Sequence, residues 1–97
     1  MILCAALRIN DPRLNPEGFL IIHCWRHGFG YSMLRDLGLK ERFPARNIDE
    51  GFLTTYNRFV DRKAAYQEAL QCGQLPATTR EWKRKFGENE LYSEDLY

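Results

Sequence analysis

The stretch of residues 50–74 constrains the fold most, because it joins a hairpin signal to a helix signal without a linker. Two short strands are expected at residues 51–55 and 58–60, connected by a tight turn at Tyr56 and Asn57. Asparagine, after glycine, best tolerates the left-handed backbone that a two-residue hairpin turn needs. This stretch therefore predicts an antiparallel pair of strands.

A helix is expected directly after the hairpin, over residues 62–72. Asp61 can cap it, since a carboxylate at that position accepts hydrogen bonds from the free N–H groups of the first turn. Gly73 suits the residue just past a helix end. The side chains expected to pack on a sheet lie on or near one face: Ala65, Tyr66, Ala69, Leu70 and Cys72.

The first quarter of the chain predicts two further strands. Residues 2–9 and 19–25 are apolar on both faces, and turn residues separate them, ending in Asn15-Pro16-Glu17-Gly18. Strands of this kind are expected in a sheet covered on both sides, by helices or by a second subunit.

Two shorter helices complete the prediction, at residues 31–37 and 80–86, the second capped by Thr79. The chain is expected to form a single domain over residues 1–97. The predicted fold is α+β, with a mainly antiparallel small sheet packed with two or three short helices. The apolar residues that continue through the last position predict a docked C-terminal tail.

The start of the helix at residue 62 goes against local preference. Arg62 and Lys63 are two cations at the positive end of the helix dipole, where each costs about 0.3–1 kcal/mol, and Arg58 lies just before them. One interpretation is a helix capped by Asp61 with solvated basic side chains. The other is a bound anion, which would reverse the cost by accepting hydrogen bonds from the backbone and the cations.

Further residues are candidates for the same site. Arg26 and His27 are candidates for an opposite wall, and Tyr56 or Tyr66 for aromatic stacking on the ligand. The predicted ligand-binding residues are Arg26, His27, Tyr56, Arg58, Asp61, Arg62, Lys63 and Tyr66.

Other chemistry finds less support in the sequence. His23 and Cys24 would point to opposite faces of a strand, so no metal and no cofactor are expected. No catalytic residue is assigned, and His27 is the one plausible base for an enzyme acting on nucleotides. Gly28 and Gly30 lack the third glycine of a dinucleotide fingerprint, although they allow close backbone approach at a helix start.

Charge and cysteine usage bear on partners and compartment. A net charge of +1 disfavours strong nonspecific binding to nucleic acid. The apolar start is too short for a signal peptide or membrane span, so no membrane partner is expected.

Three cysteines without a CxxC pair predict reduced, largely buried thiols in a cytoplasmic protein. A basic run at residues 80–85 and an acidic run at residues 88–95 are expected to neutralise each other, within or between subunits.

The order of several motifs resembles a family of small, mostly phage-encoded proteins. The resemblance rests on Arg26-His27, Gly51-Phe52-Leu53-Thr54, Arg58-Phe59-Val60-Asp61-Arg62 with Ala64 or Ala65, Gly73-Gln74 and Leu91-Tyr92-Ser93-Glu94-Asp95-Leu96-Tyr97. It covers most of the chain. The family often has a histidine or aspartate where this chain has Gly28 and Phe29, and an Asp-Gly turn where this chain has Tyr56 and Asn57. The absence of that histidine or aspartate counts against an acid–base role for the segment that follows Arg26 and His27.

The resemblance implies a phage setting, and by analogy a protein that counters host defence. The expected function is sequestration of a nucleotide-type second messenger without cleavage, by a homo-oligomer in the cytoplasm of the bacterial host. Two alternatives stay open: a protein-binding inhibitor of a host defence complex, and a small nucleotide-processing enzyme.

Overall fold

A small antiparallel sheet forms the centre of the fold. The computed structural model describes residues 1–14 and 17–96, so part of the predicted turn at Asn15-Pro16 and the final Tyr97 lie outside the described residues. The strands are β1 (Ile2–Asn10), β2 (Phe19–Cys24), β3 (Ile48–Thr54) and β4 (Phe59–Asp61). They pair antiparallel in the order β2-β1-β3-β4.

The described residues also form α1 (His27–Asp36), α2 (Arg62–Gln71) and α3 (Ala77–Lys85), with single 3-10 turns at Ala45–Asn47 and Ser93–Asp95. The predicted α+β fold is confirmed. The third helix begins before Thr79, so Thr79 is not its cap; Pro76 occupies that position with φ −59°, a value that its ring fixes.

Two helices pack on the same face of the sheet. Leu34 of α1 clusters with Leu7 of β1, and Ala65 of α2 clusters with Ala5 of β1 and Phe52 of β3. Because side chains alternate along a strand, Ala5 and Leu7 share one face. No helix of the described residues packs on the other face. Cover on both faces therefore does not come from the helices described within one chain.

The first helix begins earlier than the sequence predicts, at His27 and not at residue 31. Gly28 and Gly30 lower helix propensity, which made this segment resemble a loop. Glycine is needed at position 30 because α1 lies close on the sheet. A Cβ there would come within 2.8 Å of Leu7 Cδ1 and 2.9 Å of Cys24 Sγ. Tertiary packing overrides propensity at this point.

The hairpin loop is longer than the predicted two-residue turn. The N–H of Thr54 donates to the carbonyl of Arg58 at 2.9 Å, and the N–H of Asn57 donates to the carbonyl of Thr54 at 2.9 Å. The loop thus spans residues 55–57. Asn57 has φ +58°, so the predicted left-handed asparagine is confirmed, in the last position of a three-residue loop.

The predicted ends of α2 are confirmed. Asp61 accepts a hydrogen bond from the N–H of Ala64 at 2.8 Å, and Gly73 follows the helix with φ +67°. Cys72 is exposed and does not join the apolar face, and Cys4 is only half-buried, so Cys24 alone is a buried thiol. Cys72 lies one residue past the end of α2, at the C-cap position, where its side chain is not packed on the sheet.

The segment after α3 returns to the core. Leu91 is fully buried, and its N–H donates to the carbonyl of Arg62 at 2.9 Å. Leu96 packs against the same cluster. The predicted docked tail is confirmed through Leu96.

Candidate functional site

Arg62 at the start of α2 is bound internally. Its Nη1 donates to the carbonyl of Leu91 at 2.9 Å, its Nη2 donates to the carboxylate of Glu50, and its guanidinium lies 4.9 Å from the ring centre of Tyr92. A carboxylate from β3 thus offsets the cation at the helix start. Arg62 links α2, β3 and the C-terminal segment, which the sequence could not show.

His27 is held between the same elements. Its Nε2 lies 2.7 Å from the carbonyl of Gly51, and its Nδ1 lies 3.4 Å from Nη2 of Arg62. A carbonyl only accepts and an arginine only donates, so Nε2 carries the proton and Nδ1 accepts. Burial lowers the pKa of His27 and outweighs the bond to Gly51, which would raise it. A neutral imidazole with both nitrogens engaged is poorly placed to act as a base.

Glu50 ties this cluster to α1. The hydroxyl of Tyr31 donates to its Oε2 at 2.8 Å, and burial together with that bond raises the pKa of Tyr31 to about 12. Burial would raise the pKa of Glu50, but the bonds from Arg62 and Tyr31 outweigh it and lower that pKa. Glu50 therefore stays ionised opposite Arg62.

A groove of about 280 Å³ opens beside this cluster, where α1 begins. Its lining comes from the start of α1, the start of α2 and the C-terminal segment: Arg26, His27, Gly28, Phe29, Arg62, Tyr92, Ser93 and Glu94. We call it the α1 groove. Two arginines, two aromatic rings and a helix start thus share one concave surface.

The first turn of α1 lies at this groove without a side-chain cap. Arg26 occupies the capping position in extended conformation and makes no capping bond. No atom of the described residues outside the neighbouring backbone lies within 4 Å of where a Cβ on Gly28 would be. A ligand can therefore approach the backbone here closely, and free N–H groups at a helix start attract anions.

Arg26 is only weakly engaged. Its Nη1 lies 3.9 Å from Oε1 of Glu94, and both side chains are exposed. Exposed pairs of this kind contribute about 0–1 kcal/mol. An anion in the α1 groove could thus displace Glu94 from Arg26 at little cost.

A buried lysine fixes the wall opposite α1. Lys83 is 2% exposed, and its Nζ donates to Oδ2 of Asp95 and to the carbonyl of Glu90, each at 2.9 Å. The same Nζ lies 5.0 Å from the ring centre of Tyr92, and Asp95 accepts a hydrogen bond from the N–H of Tyr92 at 2.9 Å. The predicted neutralisation between the basic and acidic runs is confirmed here, within one chain.

The eight predicted site residues do not form one site. The structure brings Arg26, His27 and Arg62 together in the α1 groove. Asp61 caps α2, and Lys63 beside it is exposed.

The remaining three lie elsewhere. Tyr66 is buried in the core cluster, and it lines a separate cavity between α2 and α3. Tyr56 is 86% exposed at the hairpin tip. Arg58 lines a separate cavity on the sheet face that α1 and α2 leave open.

Sequence reasoning missed Phe29, Tyr92, Ser93 and Glu94 as groove residues. Tyr92, Ser93 and Glu94 belong to the closing motif on which the family resemblance rests, and that was the available signal. Phe29 is exposed on the first turn of α1.

Two properties of the described residues bear on the expected partners. They contain no group of three or more histidine, cysteine or acidic side chains arranged to hold a metal ion. Of the helices described, none has the length and apolar character needed to cross a bilayer.

Comparison with known proteins identifies the family of the chain. The model of a family described as phage T4 y16D protein matches residues 1–97. No curated protein and no solved structure matches the chain.

Proposed function

The chain belongs to the phage T4 y16D protein family, and we propose that it binds a phosphate-bearing nucleotide in the α1 groove without cleaving it. The observation that carries this proposal is the convergence of Arg26, Arg62 and the uncapped start of α1 on one groove. Backbone N–H groups at a helix start and arginine forks are the usual ligands of protein-bound phosphate.

The aromatic rings supply the rest of a nucleotide site. Phe29 and Tyr92 both line the groove and both are exposed. A base could stack on either ring while its phosphate lies at Gly28. Arg62 already lies over the ring of Tyr92, so a base there would meet a cation as well as a π-face.

The same geometry supports release of an unchanged ligand. Both ring nitrogens of His27 bond within the protein, and Glu50 is paired with Arg62 and Tyr31. No other base lies among the groove residues except Glu94, which is exposed and next to Arg26. The groove is thus better suited to holding a nucleotide than to transforming it.

The size of the groove bears on the ligand. At about 280 Å³ it lies just below the usual range of roughly 300–1,000 Å³ for small-molecule sites. One nucleotide unit would fill it, and a larger messenger would extend beyond it. Enclosure of such a messenger would require a second subunit, in agreement with the homo-oligomer that the sequence predicts. The proposed role is to sequester a host immune messenger in the cytoplasm of the infected cell.

Calorimetry of the full chain against cyclic dinucleotides and ADP-ribose tests this proposal, with mass spectrometry of the recovered ligand. We expect saturable binding of at least one of them, recovered intact, and a loss of about tenfold in affinity for Arg26→Ala. Arg35→Ala, an exposed arginine at the far end of α1, is the matched control. No heat with any ligand, or the same loss in both variants, would overturn the proposal.

One observation favours a second candidate, an inhibitor that binds a host protein. Trp82 on α3 and Phe86 just after it are 54% and 60% exposed, and their ring centres lie 5.0 Å apart. Exposed aromatic pairs are enriched at protein interfaces. Capture of a host protein by the wild type but not by Trp82→Ser would support this candidate.

A further inference from the structure

The face of the sheet that α1 and α2 leave open carries a second cavity, of about 470 Å³. Its lining comes from all the strands and the hairpin loop: Arg8, Phe19, Ile21, His23, Leu53, Asn57, Arg58 and Phe59. We call it the sheet cavity. It lies on the opposite face from the helices, and the proposed nucleotide site makes no use of it.

The floor and walls of this cavity follow from the strand register. Ala6 of β1 pairs with Gly51 of β3, and these two smallest residues form a low strip across the sheet. A Cβ on Gly51 would lie 2.5 Å from Cζ of Phe59, so the Phe59 ring lies directly on the glycine. The Phe59 ring therefore covers this strip and forms part of the cavity wall.

Arg8 completes an aromatic and cationic surface. Its guanidinium lies 4.8 Å from the ring centre of Phe59, and its Nη2 donates to Asp49 at 2.9 Å. Its Nε is buried and has no hydrogen-bond partner within the described residues. Arg8 is thus held by stacking and one carboxylate, with donor capacity left over.

The charges at the cavity are one-sided. Arg58 is exposed and forms no ion pair in the described part of the chain. No carboxylate is among the described residues that line the cavity, and Asp49 at its edge is engaged with Arg8 and Asn10. A second copy docked face to face would bring cations against cations, which disfavours it as the occupant.

We infer that the sheet cavity binds a short stretch of single-stranded nucleic acid, with bases stacked on the paired Phe59 ring and Arg8 guanidinium and the phosphates near Arg58. An open antiparallel sheet with aromatic side chains on its surface and helices behind it is suited to splayed bases. The chain's net charge of +1 disfavours strong electrostatic binding to nucleic acid. It means that stacking, and not long-range attraction, supplies most of the affinity.

The small electrostatic share of the binding free energy and the larger stacking share each give a quantitative expectation. With Arg58 as the phosphate-contacting cation, the logarithm of the association constant should fall against the logarithm of salt with a slope of about −0.7. Removal of a stacked ring should weaken binding roughly fivefold or more.

The test is fluorescence anisotropy of the full chain with labelled oligonucleotides of about eight uridines or eight thymidines, and with a duplex of equal length. We expect both single strands to bind better than the duplex, with the RNA and DNA arms showing which source is preferred. Phe59→Leu, which keeps an apolar side chain on Gly51, and Arg58→Ala should each weaken binding. Arg84→Ala, an exposed arginine on α3, should not.

Circular dichroism and a thermal melt verify that Phe59→Leu is folded. If Phe59→Leu does not fold, Arg58→Ala still tests the inference. Equal binding of duplex and single strand, equal loss in Arg84→Ala, or no binding of either single strand would overturn the inference. Self-association that Phe59→Leu abolishes, without oligonucleotide binding, would also overturn it. Because both variants lie outside the α1 groove, this result is independent of the nucleotide test above.

Discussion

The ammonium of Lys83 lies 2.9 Å from the carboxylate of Asp95, and the lysine is almost entirely buried. Asp95 in turn binds the N–H of Tyr92, so this ion pair holds a wall of the α1 groove in place. Fold stability and the shape of the proposed site therefore depend on one contact.

The first prediction concerns that contact. Lys83→Ala should lower the free energy of unfolding by about 3 kcal/mol, because it leaves a largely buried carboxylate unpaired. Lys85→Ala on the same helix removes an exposed charge and should change it by less than about 0.5 kcal/mol. Urea denaturation measures both. Similar values for the two variants would mean that the Lys83 pair contributes little.

A second prediction compares the two glycines at the start of α1. Gly28→Ala should leave stability equal or raise it by up to about 1 kcal/mol, since alanine favours helix and the space is open. Gly30→Ala should destabilise, because overpacking against Leu7 and Cys24 costs about 1–3 kcal/mol. Thermal melts of the two variants check the sign of each change.

The same pair separates stability from binding. Gly28→Ala places a methyl group where a ligand would approach the backbone, so nucleotide affinity should fall although the fold is intact. Unchanged affinity in Gly28→Ala would remove the start of α1 from the proposed site.

The third prediction uses the competition for Arg26. Glu94→Gln should tighten nucleotide binding by about threefold or more, because it removes a carboxylate 3.9 Å from Arg26 and beside the ligand phosphate. Glu41→Gln makes the same change of net charge at an exposed loop position and should have no such effect. Calorimetry at low salt gives both values, and equal effects would indicate only a change in overall charge.

The fourth prediction is a pH dependence from His27. Its pKa is lowered in the folded state, so below the unfolded value of 6.5 the unfolded chain takes up a proton first. Stability is therefore full above 6.5 and is lost as pH falls toward the folded pKa.

Denaturant unfolding at about pH 7.5 and 5.5 isolates the histidines, since carboxylates titrate lower. His27→Gln, which can still donate to Gly51, should lose less stability between the two pH values than the wild type. His23→Gln, at an exposed histidine, should behave like the wild type. A steeper loss in His27→Gln would show that the sign is wrong.

The fifth prediction is the homo-oligomer. The aromatic pair Trp82 and Phe86 is an exposed apolar surface suited to self-association. Light scattering at micromolar concentration should give a mass above that of one chain, and Trp82→Ser should lower it. A monomeric wild type would contradict this prediction.

The elements that the sequence predicted well depend on neighbours in the chain. Asn57, Asp61 and Gly73 act through backbone groups only a few residues away, so a left-handed turn, a cap and a helix end are readable locally. The start of α1 could not be predicted in this way, because the close approach of Gly30 to Leu7 depends on tertiary packing.

The site was predicted in part for the same reason. Arg26 and His27 lie at a strand end and a helix start, and the structure places both in the groove. The pairing of Arg62 with Glu50 depends on where β3 lies against α2, and no local pattern reports it. Lysines are almost never fully buried, so the ordinary expectation for Lys83 was a solvated side chain.

Gly51 offers little freedom for evolutionary change. Its carbonyl holds His27 on the helix side, while its missing side chain makes room for the Phe59 ring on the other side. Any substitution of Gly51 would therefore disturb both the packing of His27 and the packing of Phe59. A change at this position could not alter one of the two surfaces without the other. In a saturation mutagenesis screen, Gly51 should tolerate fewer replacements than any of its neighbours in β3.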